Sequence, residues 1–202
     1  MQLLLISPPH SIQDEERLVS EMLALGLARF HLRKPEWDRT QMLNYVAGIP
    51  ARFHSRLVLH SHHSLVSELG LGGVHLTAAI RIAGQTRRPT RLGQTLSTSF
   101  HSLAEINQHR RRYDYVFLSP IFNSLSKQGY EAAFDLAEVA ATLQQLQQRA
   151  SPGPQVIALG GIEGHRLSAV RRAGFAGAAV LGAVWQQADP VAAFRALQLV
   201  VS

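Results

Sequence analysis

Tyr113-Asp-Tyr-Val-Phe-Leu-Ser-Pro-Ile-Phe-Asn-Ser-Leu-Ser-Lys127 joins a short apolar run to a proline and then to a polar loop. From Tyr115 to Leu118, aromatic and β-branched residues follow one another with no polar alternation, the pattern of a strand buried on both faces. Pro120 has no N–H to donate, so the strand is predicted to stop about there. Asn123, Ser124, Ser126 and Lys127 then place hydroxyls and one ammonium at the strand exit. In parallel α/β folds the loops at strand C-termini hold ligands. This donor set suits an anion, best a phosphate or pyrophosphate.

Working outward, seven further apolar runs read as strands: residues 2–6, 29–33, 56–60, 73–76, 91–97, 155–159 and 176–181, with 113–118 as the sixth of eight. Helical spacing appears over 14–25 and 134–148. A box-like start, with Ser102 as N-cap and Glu105 at the third helical position, opens a helix over 103–109. Residues 165–173 end at Gly174, a C-cap signal, and Pro190 falls in the first turn of a last helix. Residues 77–89 are too short and polar for a full helix, so a shortened connection is expected after the fourth strand. Strands alternating with helices predict an α/β protein with an all-parallel sheet. The leading architecture is a single-domain (βα)8 TIM barrel over residues 1–202. An open doubly wound sheet would carry a Gly-rich fingerprint after its first strand, where Ser7-Pro8-Pro9-His10 stands instead.

The 202 residues suffice for one sizeable core, and 46% hydrophobic with 17% charged residues is an ordinary globular composition. The net charge of +6 favours anionic ligands. The clusters at Arg87-Arg88 and Arg110-Arg111-Arg112 read as solvated faces and loops, and no helix-turn-helix, RNP-like or finger motif points to nucleic acid. No stretch has the length of a membrane span. The opening Met1-Gln-Leu-Leu-Leu-Ile lacks a basic n-region and reads as a first strand rather than a signal peptide. The absence of cysteine excludes disulfides, thiolate metal sites and a Cys nucleophile, and fits a cytoplasmic protein.

A barrel site lies at the strand C-termini. These carry His31, Arg33 and Lys34 on the second strand, and His60, Ser61, His62 and His63 on the third. The fourth ends at His75, the fifth at Ser99 and His101, the seventh at Gly160 and Gly161, and the eighth at Gly182. Glycine lets backbone N–H groups approach a phosphate between the last two loops. The alternative for Gly160-Gly161 is a tight turn into the next helix. Alternation would put His60 and His62 on one side, but no carboxylate lies nearby in sequence. No metal site is expected, and these histidines read as donors to ligand oxygens. Arg33 suits bidentate phosphate binding or a surface ion pair.

Across most of its length the chain resembles the thiamine phosphate synthase/TenI family. The resemblance rests on Phe30-His-Leu-Arg33, Gly73-Val-His-Leu76, His101-Ser-Leu-Ala-Glu105, Asp114 to Phe122, Ser124-x-Ser-Lys127 and Val156 to Ile162. It implies a (βα)8 barrel acting in thiamine biosynthesis, with small phosphorylated substrates. A synthase couples hydroxymethylpyrimidine pyrophosphate to thiazole phosphate and releases pyrophosphate. TenI-type members isomerise a thiazole carboxylate phosphate. By position, Arg33, Ser99, Ser124, Ser126 and Lys127 match the pyrophosphate set, with Arg33 and Lys127 assigned to catalysis, and Gly161 and Gly182 match the thiazole phosphate cradle. Family members are often oligomeric, so a homo-oligomer is open.

Three departures accompany the resemblance. The family implies magnesium, yet His60-Ser61-His62 replaces Asn-Asp-Arg after the third strand, and the second magnesium Asp falls at about Ile80. Lys34 stands one place early, with Pro35 in the family lysine's position. Pro120 replaces the histidine of TenI-type members. The expected activity is a synthase-like transferase in which His60, His62 and Lys34 help to neutralise pyrophosphate. A thiazole tautomerase using His31 or His101, and a non-catalytic phospho-ligand binder, are the alternatives.

Overall fold

The computed structural model describes residues 1–84, 91–109, 112–123, 134–149 and 153–201. Eight parallel strands close in sequence order into a barrel: β1 Gln2–Ile6, β2 Arg29–Leu32, β3 Leu57–Leu59, β4 Gly73–Leu76, β5 Thr95–Phe100, β6 Tyr115–Leu118, β7 Gln155–Leu159 and β8 Gly177–Val180. Closure runs through β1 and β8, with Leu4 opposite Ala179. The outer faces pack on α1 Glu15–Ala24, α2 Arg39–Gly48, α3 Ser64–Glu68, α4 Ala78–Ala83, α5 Leu103–Gln108, α6 Leu136–Gln147, α7 Leu167–Arg172, α8 Gly182–Trp185 and α9 Pro190–Val201. The expected (βα)8 barrel is therefore the observed architecture. The shortened connection after β4 takes the form of the six-residue α4, and residues 85–90 lie outside the described set.

Period-2 alternation divides each strand between two layers. Leu3, Leu5, Phe30, Leu32, Leu57, Leu59, Val116, Leu118 and Val180 belong to the large core between strands and helices. Leu4, Ile6, Phe117, Ile157 and Ala179 form a separate, smaller cluster inside the barrel, joined by Tyr115. β1, β7 and β8 thus line the interior with hydrocarbon.

β5 and α2 depart most from expectation. β5 starts at Thr95, because Gly93 adopts φ 85° and the Gln94 N–H turns back to the Arg91 carbonyl. The Gln94 amide also reaches the Val66 and Leu71 carbonyls at 2.9 and 3.1 Å, which pins the strand entrance. The helix α2, unread in the sequence, opens with a capping box between Asp38 and Gln41. At α5 the Ser102 cap forms as read, but the Glu105 carboxylate takes the His101 N–H instead of closing the box. Among the described residues no helix is long and apolar enough to cross a membrane.

Gly73 sets how closely β4 and β5 approach. A Cβ there would fall 2.4 Å from the Thr95 carbonyl oxygen. We expect Gly73→Ala to destabilise the barrel by about 2–3 kcal/mol, read in urea unfolding. Gly164→Ala would meet only ordinary contact with Leu197 at 3.6 Å. It should stay within about 0.5 kcal/mol of the parent, and equal stability of both variants would refute this packing account.

Candidate active site

The inward faces of β2 to β5 carry polar side chains where the opposite wall carries hydrocarbon. His31 lies on β2, His60 follows β3, His75 lies on β4, and Ser97 and Ser99 lie on β5; Tyr115 faces them from β6. Nε2 of His31 hydrogen bonds to the Tyr115 hydroxyl at 2.9 Å, although β2 and β6 are not neighbours in the barrel, so this contact crosses the interior. Nδ1 of His31 meets Nε2 of His60 at 3.0 Å. The His60 and His75 rings stack at 4.1 Å, and Phe117 stacks on His75 at 5.0 Å.

The hydrogen bonds assign the tautomers. Ser97 Oγ donates to the Val74 carbonyl at 3.3 Å, so it accepts from Nδ1–H of His75 at 2.9 Å. Nε2 of His75 is left with its lone pair, toward which Ser99 Oγ donates at 3.1 Å. Burial raises the Tyr115 phenol above its usual range, so it keeps its proton and donates it to His31. His31 then donates from Nδ1 to His60. All three imidazoles are neutral: burial is the main cause, and neighbouring histidines and arginines add to it. His75 is pushed down to about 3.

The rim places the remaining expected residues differently. Arg33 is exposed, and its main chain is fixed by Ser7, whose Oγ accepts the Arg33 N–H at 2.8 Å and donates to the Arg33 carbonyl at 3.1 Å. Its charge reaches inward, holding down the basicity of His60 and His75. Lys34 corrects the sequence reading. Its side chain is fully enclosed, with Nζ donating to Glu15 at 2.6 Å and to the His10 carbonyl at 2.8 Å. Tyr45 donates to the other Glu15 oxygen at 3.0 Å. Lys34 therefore anchors the loop between β1 and α1 rather than meeting a ligand from the rim.

His62 is a second correction. It adopts φ 49°, which breaks the alternation, and its Nε2 bonds to the Trp37 carbonyl at 2.8 Å. His60 alone of that pair joins the interior, where it meets His31 and His75. His101 is exposed at the end of β5, with Nδ1 donating to the Ser119 carbonyl at 2.8 Å. Its Nε2 is left as the lone-pair nitrogen.

Gly160 and Gly161 take φ 94° and 62°. A Cβ on Gly161 would lie 2.6 Å from the Asn123 carbonyl oxygen, and one on Gly160 would lie 2.8 Å from Pro120. These glycines let the loops after β6 and β7 touch, which is the tight-turn reading in physical form. Arg166, unremarked in the sequence, ties the same loops by donating to the Gly161 carbonyl at 2.7 Å and the Asn123 carbonyl at 3.3 Å. Gly182 opens α8, and Trp185 of that helix donates to the Ile6 carbonyl at 2.8 Å. Ser124, Ser126 and Lys127 lie outside the described residues. Magnesium does not fit this donor set, since a hard cation takes oxygen ligands. Ser61 and the aliphatic Ile80 stand at the two positions where the family resemblance implies Asp.

A family model described as thiamine monophosphate synthase matches residues 3–184. The thiamine-phosphate synthase of Desulfitobacterium hafniense strain Y51 is 27% identical over 183 residues, covering 89% of this chain and 86% of its own. That of Lysinibacillus sphaericus strain C3-41 is 27% identical over 204 residues, covering 94% and 90%. Among solved structures, thiamine phosphate pyrophosphorylase from Bacteroides thetaiotaomicron is similar with a TM-score of 0.80 and 30% identity, over 100% of this chain and 98% of that one. The pyrophosphorylase from Pyrococcus furiosus, 19% identical with a TM-score of 0.76 over 99% and 95%, shares the fold.

The neutral cluster makes a pH prediction. With His75 near 3 in the folded chain and near 6.5 when unfolded, stability is fully present above about 6.5 and is lost as pH falls toward 3. For His75 alone the loss should reach about 2 kcal/mol by about pH 5. Urea unfolding across this window checks it: His75→Asn should flatten the acid limb, and an unchanged limb would contradict the assignment.

Proposed function

We propose, from the premise that the chain belongs to the thiamine monophosphate synthase family, that it couples hydroxymethylpyrimidine pyrophosphate to thiazole phosphate and releases pyrophosphate. The observation that carries this reading is the convergence of Arg33, Ser99, His101, Gly160, Gly161 and Gly182 on the C-terminal ends of one closed set of strands. In this family reaction pyrophosphate leaves, a pyrimidine cation forms and the thiazole nitrogen attacks it. Such chemistry calls for positioning and charge neutralisation and needs no protein nucleophile.

Each group has a role in that scheme. Arg33, held by Ser7, presents its guanidinium to the leaving diphosphate, and Ser124, Ser126 and Lys127 complete the grip. Gly161 and Gly182 belong to the thiazole phosphate cradle. His31, His60 and His75 line the floor beneath these groups. Because magnesium does not fit the donor set, the protein's own cations carry the neutralisation. A cytoplasmic location belongs to the same proposal, supported by the lack of cysteine and by bacterial relatives.

His101 favours a second reading as a thiazole tautomerase. Its exposed Nε2 lone pair at the rim is placed to accept a proton, whereas both nitrogens of His31 are engaged.

Thiamine phosphate formation from both substrates is the test. We expect product with a rate that added magnesium changes little. Arg33→Ala should cost about 10²–10³-fold. No product under any divalent-metal condition sinks the synthase reading. Turnover of the thiazole carboxylate phosphate tautomer, abolished in His101→Gln, would then establish the tautomerase.

A further inference from the structure

We propose that His31, His60 and His75 form a binding site inside the barrel for a borderline-soft divalent cation of the zinc or cobalt class. Their ligand nitrogens all lie within 4.8 Å of one another. Tetrahedral zinc, with Zn–N of about 2.0–2.1 Å, sets its nitrogens about 3.3 Å apart. His31 Nδ1 and His60 Nε2, at 3.0 Å, are already close to that spacing, and His75 lies within the same 4.8 Å.

The surrounding hydrogen bonds supply the orientation that metal-bound imidazoles need. Ser97, anchored on the Val74 carbonyl, accepts Nδ1–H of His75 and so leaves the lone pair on its Nε2, the nitrogen that a cation would take. Ser99 Oγ, which now meets that lone pair, gives way to the cation by a change of the serine side-chain rotamer. On His31, moving the proton from Nδ1 to Nε2 lets Nε2–H donate to the Tyr115 oxygen and frees Nδ1 for the cation. The cation then takes the place of the proton between His31 and His60, and no net proton is released.

Among the described residues the cluster has three imidazoles and no carboxylate, a donor set selective against magnesium and calcium. They also leave the site cationic, with the Arg29 guanidinium 5.7 Å from the Tyr115 ring centre. The fourth position therefore suits an anionic oxygen ligand arriving from the rim. The inference concerns the barrel interior and holds whichever reaction the rim performs.

The test uses the full chain without an affinity tag, stripped with chelator and then equilibrated with Zn²⁺ or Co²⁺ alone. We expect about one equivalent of bound metal, and the intense visible absorption of four-coordinate cobalt with nitrogen ligands. His75→Gln should reduce the bound metal to below about a tenth of an equivalent, with far-ultraviolet circular dichroism confirming that it folds. Ser97→Ala, which keeps every ligand, should weaken zinc binding about 10–100-fold. His165→Gln, on the exposed surface, should change nothing. Zinc uptake unaffected by His75→Gln, or a weak octahedral cobalt spectrum in the parent, would overturn the proposal. The parent spectrum decides even where a variant fails to fold.

Discussion

The hydrogen bond between Nδ1 of His31 and Nε2 of His60 lies where the barrel interior changes from hydrocarbon to imidazole. Closing eight parallel strands leaves one face of every strand pointing inward, and those faces must fill the interior at core density. On β1, β7 and β8 they do so with Leu4, Ile6, Ile157 and Ala179. On β2 to β5 the same volume is filled by rings and hydroxyls, which stay buried only because each finds a partner. Protonating the cluster would put charge into this enclosed space. Neutrality is thus a condition of packing as well as a property of the site.

The rim depends on that floor. Arg33 leaves β2 two residues after His31, so the strand that buries an imidazole also delivers a guanidinium to solvent. The buried Lys34–Glu15 pair with Tyr45 fixes the loop before α1 against the same strand end. Burial holds the Glu15 carboxyl above its usual range even though Lys34 and Tyr45 pull it down. Across the barrel, Gly160 and Gly161 let the loops after β6 and β7 meet, and Arg166 bolts them together. One wall offers a cation and the opposite wall offers closely packed main chain.

Much of this was legible in the sequence. The bounds of β1 and β7 follow directly from their apolar runs, because strands buried on both faces leave an uninterrupted signal, and those of β4 follow even though His75 interrupts it. β5 was read too early, since Arg91 and Leu92 look like strand residues while the turn at Gly93 and the side-chain bonds of Gln94 decide where pairing begins. α2 escaped because only Met42, Tyr45 and Val46 are buried along it, although its Asp38–Gln41 cap was there to be read. In the site, His60 and His62 look paired, and the left-handed backbone of His62 itself turns it away. Lys34 looked like a ligand because sequence does not show that Glu15, nineteen residues earlier, turns to meet it. The gathering of His31, His75, Ser97 and Tyr115 was implicit in period-2 alternation on four strands, and it became visible only once barrel closure set the strands' registers.

Nitrogen-15 resonances of the imidazoles test the central claim most directly, because Nδ1 and Nε2 shifts report both charge and tautomer. Between about pH 8 and about pH 5 the account predicts that His31, His60 and His75 stay neutral, with His75 protonated at Nδ1. Titration of these three histidines near the ordinary 6.5 would contradict it.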